Sequence, residues 1–208
     1  MDKVATKVFV VDDDASLRRS LARLFRANGI EAELYESAQK FLDSGLAARS
    51  GCVVLDVHMP GLSGLDMQET LARLECTMPI IFLTGRGDIP MSVRAMKKGA
   101  ADFLTKPVDE EVLLAAIRKA MEENRRRNED RALLESVRAR IRLLTEREYE
   151  VMRHVIAGDL NKQIGGDLDI VEKTVKVHRA RVMEKMGVDS VAELVRLCAV
   201  AGIMPAGK

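Results

Sequence analysis

Groups able to do phosphoryl chemistry recur where apolar runs stop. Asp12-Asp13-Asp14 follows the run Lys7–Val11, and Asp56 follows Cys52–Leu55 and precedes His58-Met59-Pro60-Gly61. Thr84 follows Phe82-Leu83, and Lys106-Pro107 follows Phe103-Leu104-Thr105. Crowded carboxylates repel one another and need a counter-cation, and hard oxygen donors in a hydrated site suit Mg2+. A carboxylate nucleophile, a divalent metal, a hydroxyl and a fixed ammonium can together accept a phosphoryl group and neutralise its spreading charge. Each group alone says little. An Asp triplet is more often a cap and a solvated turn, which is the reading given to Asp14, and Thr84 could be a turn residue before Gly85-Arg86-Gly87. The weight lies in their order along the chain.

The elements that must present these groups are legible in the hydrophobic pattern. Lys7–Val11, Ala32–Tyr35, Cys52–Leu55, Pro79–Leu83 and Asp102–Thr105 read as strands, apolar enough for a parallel sheet covered on both faces. Leu17, Leu21, Leu24 and Phe25 recur at helical spacing, with Asn28-Gly29 as a stop. Met67, Leu71 and Leu74 share a second helical face, Asp88 with Pro90 opens a helix that Gly99 closes, and Leu113 through Met121 forms another. Repeated β-α units of this kind predict a doubly wound, five-stranded α/β domain, whose sites lie at strand C-termini.

The texture changes at Glu122–Arg142, a charge-rich stretch containing Arg125-Arg126-Arg127 and a weak apolar stripe, which reads as a helical linker. Thr145-Glu146-Arg147-Glu148 has capping-box spacing, with Leu144 and Tyr149 placed as a staple. The helix starting there ends at Gly158, Asn161 is expected to cap a short second one, and Ser190-Val191-Ala192-Glu193 offers another capping box. An all-helical C-terminal part of four short helices is expected.

Composition sets outer limits. The chain has 208 residues, 47% of them hydrophobic and 31% charged, a length that suits two modest domains better than one. No run of about 18 apolar residues occurs, so a membrane span is not expected. Cys52, Cys76 and Cys198 lack metal-ligand spacing and read as reduced structural thiols, and the polar start, Met1 to Thr6, does not look like a signal peptide. A cytoplasmic protein is expected.

The net charge of +1 by itself gives no reason to expect nucleic acid. Charge is nonetheless uneven, −1 over residues 1–121 and +2 over 122–208, with a local net of +3 across Glu172–Lys185. On a helix wheel Val175, His178, Val182 and Met186 form one stripe and leave Lys173, Lys176, Val177, Ala180 and Arg181 on the open face. A basic helix with a small apolar spot suits a DNA major groove: cations for phosphates and guanine edges, Val177 and Ala180 for thymine methyls.

The ordered set of an acid pair at strand one, Asp at strand three, Thr at strand four and Lys-Pro at strand five resembles the receiver domain of bacterial two-component response regulators, over about residues 4–121. The resemblance implies a flavodoxin-like fold, Asp56 as phosphoacceptor, and Mg2+ held by Asp12, Asp13, Asp56 and the backbone carbonyl of His58. It makes Thr84 and Lys106 partners of the phosphoryl oxygens and Phe103 a switch aromatic, although a plain core residue would look the same. The side chains of His58 and Arg86 would tune the lifetime of the acyl phosphate. Val93 and Lys97, on the helix from Ile89, would pair with a second copy after phosphorylation.

Leu144-Thr145-Glu146-Arg147-Glu148, Asn161-Lys162-Gln163-Ile164 and Lys173-Thr174-Val175-Lys176-Val177-His178-Arg179 resemble the LuxR/NarL/FixJ-type helix-turn-helix over about residues 143–203. That resemblance implies Val171–Met186 as recognition helix, Asn161–Asp167 as supporting helix, Ser190–Val200 as a dimer-forming helix, and Asn161, Lys162 and Thr174 facing phosphates. Two departures are expected to cost stability: Gly165-Gly166 inside the supporting helix, and Val171 where a Ser or Thr usually caps.

The expected organisation is therefore a receiver over 1–121, a charged helical linker over 122–142 and a helix-turn-helix domain over 143–208. The expected function is a phosphorylation-gated transcriptional regulator that is not a turnover enzyme. Its partners would be a sensor histidine kinase, double-stranded promoter DNA, RNA polymerase and a second copy of itself. Two other classes fit parts of the sequence. A hydrolase using Asp56 as turnover nucleophile would need a substrate pocket and a second acid/base. A receiver acting on a protein partner would show no salt-dependent DNA affinity.

Overall fold

The computed structural model describes residues 7–45, 50–85 and 89–207. They fall into two compact units, Met1–Arg126 and Arg127–Lys208. The first unit is built on five parallel strands, β1 (Lys7–Val11), β2 (Glu31–Tyr35), β3 (Cys52–Asp56), β4 (Ile80–Thr84) and β5 (Asp102–Thr105), in the order β2-β1-β3-β4-β5. Because successive side chains in a strand point to opposite faces, Phe9, Val11, Val53, Leu55 and Phe82 pack on one side. There they meet α2 (Ala38–Asp43), α3 (Gly64–Arg73) and α4 (Ile89–Lys97). Val8, Val10, Val54, Ile81 and Leu83 pack on the other side, against α1 (Ala15–Ala27) and the first turns of α5 (Glu110–Ile141). Burial on both faces explains why β3 and β4 read as unbroken apolar runs. The strand order reverses between β1 and β3, so their C-terminal ends leave a crevice.

The expected partnership of Leu74 with Met67 and Leu71 does not form. Leu74 is the C-cap of α3 and lies exposed, because the helix has ended and Glu75 already turns to a φ of +53°. The helix opening expected at Asp88 lies outside the described residues; α4 is described from Ile89, and Gly99 follows it at a φ of +89°.

The second unit packs the end of α5 against α6 (Glu146–Ala157), α7 (Asn161–Asp167), α8 (Glu172–Met186) and α9 (Val191–Val200). Val137, Val151, Met152, Ile164, Val175, Val182 and Leu194 form its core. The Thr145 box forms in both directions: Glu148 N–H donates to Thr145 Oγ1 (3.3 Å) and Thr145 N–H donates to Glu148 Oε2 (2.9 Å). The second box closes one residue early, since Glu193 Oε2 accepts from Asp189 N–H and not from Ser190. Asn161 does not cap α7. It is the first helical residue, and the cap position falls to Leu160, whose N–H is taken by Gln163 Oε1 at 2.7 Å.

Val171 likewise supplies no side-chain cap to α8. Of the two glycines in α7, Gly165 has a packing reason, because a Cβ there would lie 2.7 Å from the carbonyl oxygen of Ile170. Gly166 faces open space. No helix among the described residues is long and apolar enough to cross a membrane.

Candidate functional site

The crevice at the ends of β1, β3 and β5 gathers Asp12, Asp56 and Lys106. Asp12 and Asp56 are only 2% and 4% exposed, whereas Asp13 is exposed. Lys106 Nζ donates to Asp12 Oδ2 at 2.7 Å and to Asp56 Oδ1 at 2.6 Å. Its backbone N–H bonds the Thr84 carbonyl at 2.7 Å, and the Lys106–Pro107 bond is cis. Burial pushes the Asp56 carboxyl above the usual carboxylate range; Lys106 pulls it back, and the Asp12 and Asp13 charges push it up again. Burial works to lower the Lys106 pKa, but hydrogen bonds and charge from Asp12 and Asp56 outweigh it and hold the ammonium above its ordinary value.

Asp14 stands apart from this group as the N-cap of α1, accepting from Ser16 N–H (2.7 Å) and Leu17 N–H (3.3 Å). Those bonds hold its carboxyl below the usual range. Three carboxyl groups, Asp12, Asp13 and Asp56, outnumber the Lys106 ammonium and the Arg18 guanidinium beside them, and this all-oxygen donor set fits Mg2+.

Thr84 is fully buried at the end of β4, where its neighbour Leu83 pairs with Asp56. Phe103 is half-buried, its ring 6.0 Å from that of Phe82. His58 is exposed two residues past Asp56, and Arg86 lies outside the described residues. Val93 and Lys97 are exposed on α4.

Two residues that shape the crevice were not legible in the sequence. Arg18 Nη1 donates to the Asp12 carbonyl at 2.6 Å, fastening the acidic turn to α1. Gly64 opens α3 where a Cβ would stand 2.2 Å from the carbonyl oxygen of Asp56, so only glycine lets that helix start against the strand end. A glycine directly after the cap Ser63 was the available signal.

In the second unit Lys173, Lys176, Val177, Ala180 and Arg181 are exposed on α8, opposite the buried Val175, Val182 and Met186. Lys176 also pairs with Glu172 at 3.1 Å along the same helix. Thr174 is half-buried in the first turn, and Lys162 is exposed on α7. Asn161 is half-buried, with Oδ1 accepting from Arg179 Nη1 at 3.0 Å. His178 is half-buried. Below α8, the buried Glu148 Oε2 accepts from Lys185 Nζ at 2.6 Å, tying the α6 cap to the end of α8.

Comparison with known proteins agrees with both halves. Residues 8–118 match the response regulator receiver domain, and residues 142–198 match the bacterial regulatory proteins of the luxR family. Nodulation protein W of Bradyrhizobium diazoefficiens is 48% identical, over 94% of this chain and 86% of that protein. The structure of response regulator StyR is 45% identical with a TM-score of 0.84, covering 94% of this chain and 99% of the other. Full-length FixJ from B. japonicum is 41% identical with a TM-score of 0.61, covering 95% and 97%.

Proposed function

This chain belongs to the two-component response regulators of the FixJ/NarL type, which join a receiver domain to a LuxR-type DNA-binding domain, and from that membership we propose that phosphorylation of Asp56 gates its binding to promoters. The family is one of DNA-binding regulators and not of known catalytic enzymes. The observation that carries the proposal is the Lys106 ammonium held between two buried carboxylates, within reach of an oxygen placed on either.

In this reading an Asp56 oxygen attacks the phosphorus of a phosphohistidine on a sensor kinase. The P–N bond breaks, the histidine leaves with the electron pair and takes up a proton, and an acyl phosphate remains. Asp12, Asp13, Asp56 and the His58 carbonyl would hold Mg2+, which supplies charge neutralisation for the transferring group. Lys106 and the Thr84 hydroxyl take phosphoryl oxygens, since the modified Asp56 carries about two negative charges and three strong acceptors.

Lys106 then gives up its bond to Asp12, Thr84 moves, and Phe103 turns inward. The α4 face with Val93 and Lys97 meets its copy in a dimer. The His58 and Arg86 side chains govern the approach of water, which hydrolyses the acyl phosphate, so Asp56 cycles without turning over a substrate. In the second unit Lys173, Lys176, Val177, Ala180 and Arg181 enter the major groove, and Asn161, Lys162 and Thr174 meet phosphates. The functional division is a receiver over 1–121, a linker over 122–142 and a DNA-binding domain over 143–208. The regulator acts in the cytoplasm, on promoters and through RNA polymerase.

The test treats the full chain with a small-molecule phosphodonor and Mg2+, follows one phosphoryl group by intact mass, and footprints promoter DNA with and without donor. Asp56→Asn is expected to lose both the added mass and the donor-dependent footprint. Retention of either in the variant would overturn the proposal.

A further inference from the structure

A second group of ligating side chains lies far in sequence from the receiver pocket. His154 stands in the last turn of α6, Asp159 follows the Gly158 cap, and Asp167 is the last residue of α7. His154 Nδ1 is 2.9 Å from Asp159 Oδ2 and 3.8 Å from Asp167 Oδ2, and all three ligand atoms lie within 4.8 Å of one another. They border a cleft of about 670 Å3. The His154 and Asp159 side chains are 13% and 12% exposed, while Asp167 is 61% exposed and stands at the mouth.

We infer that His154, Asp159 and Asp167 form a divalent transition-metal site, for which zinc is the fitting ion. One imidazole nitrogen with two carboxylate oxygens is a borderline donor set, unlike the all-oxygen shells of Mg2+ and Ca2+, and without the thiolates that select Cu(I). Ligand atoms about 2.0–2.2 Å from a tetrahedral ion stand roughly 3.3–3.6 Å apart. The 2.9 Å pair, now a hydrogen bond that the ion would replace, opens slightly, the 3.8 Å pair closes slightly, and the two carboxylates, within 4.8 Å of each other, draw together through the exposed Asp167 side chain. The cleft leaves the fourth position to water. Two carboxylates around a neutral imidazole also match a divalent charge. Lys162 borders the same cleft, but it is exposed on a flexible stem and its ammonium can turn to solvent.

The local design of α7 gives such an ion work to do. Its cap position is Leu160, with no side-chain oxygen, and two of its seven residues are glycine. Asp167 places a negative charge at the negative end of the helix dipole. A cation bound there offsets that charge and ties the end of the supporting helix to the end of α6. Its occupancy thus couples the stability of the DNA-binding unit to metal.

Chelator-stripped full-length protein, kept in excess Mg2+, is titrated with Zn2+ by calorimetry and with Co2+ by visible absorption. One equivalent is expected, with tetrahedral Co2+ bands and a higher melting temperature of the second unit, read by Tyr149 fluorescence in a Tyr35→Phe background. Asp167→Asn, at an exposed position, and His154→Gln should each weaken Zn2+ by at least about tenfold and abolish the thermal gain. Binding weaker than about 100 μM in the parent chain overturns the inference, as does unchanged affinity in both variants. An equivalent lost instead on Asp13→Asn puts the ion in the receiver pocket and overturns it equally.

Discussion

Replacing Lys106 by methionine keeps the length of the stem and removes the ammonium that joins Asp12 to Asp56. Each lost bond is charge-assisted, at 2.7 and 2.6 Å, and such bonds contribute about 1.5–3 kcal/mol. The Lys106 side chain is 23% exposed, which argues for the lower end and a loss of about 3 kcal/mol for the two together. The loss should depend on pH. Asp56 already sits above the usual carboxylate range through burial, and Lys106 is the group pulling it down. Without that pull its folded-state pKa rises further. A carboxyl raised in the folded state contributes stability that is present below its unfolded value and lost as pH rises through the folded one. The deficit should therefore grow between about pH 5 and about pH 8 by the Asp56 share, on top of the share from the lost Asp12 bond, with Lys106 in the parent protonated throughout. Millimolar Mg2+ should recover part of it. The chain has two tyrosines and no tryptophan, so Tyr35 fluorescence in a Tyr149→Phe background reports urea unfolding of the receiver unit. A deficit below about 1 kcal/mol at the higher pH, or one equal at both, would refute the reasoning.

Other expectations follow from single contacts. Gly64→Ala drives a Cβ into the Asp56 carbonyl and should cost about 2–3 kcal/mol while slowing phosphodonor uptake; a stable variant with parental kinetics would show that α3 can shift freely. Glu148 is held below the usual carboxyl range by its hydrogen bond from Lys185 and then by the Thr145 N–H. A lowered carboxyl contributes stability above its unfolded value that is lost as pH falls through the folded one. The second unit should weaken below about pH 4.5, and Glu148→Gln should flatten that dependence in acid melts. Lys176→Ala should weaken operator binding and lower the slope of log affinity against log salt by about 0.9 in gel-shift titrations, with receiver phosphorylation unchanged. Unchanged affinity and slope would take Lys176 out of the major-groove face.

The strands of the receiver were legible because β1, β3 and β4 are covered on both faces and so carry runs of Val, Ile, Leu and Phe. The Thr145 box was legible because both of its bonds are made within four residues. Legibility failed where the deciding contact was distant or where an element ended early. Leu74 has helical spacing but follows the last helical residue. Asn161 has the type of a cap, yet its side chain is engaged by Arg179, 18 positions away.

The residue types at the end of each strand and the apolar face of each helix follow from local periodicity, and both were readable before any packing was known. Packing of the strands against one another brings Lys106 across 94 positions to Asp12 and 50 to Asp56. Packing also requires that α3 begin on glycine, and brings His154, Asp159 and Asp167 together. Local propensity acts over a turn or a strand. Which charges end up buried together, and which backbones approach within a bond length of contact, depends on how whole elements pack.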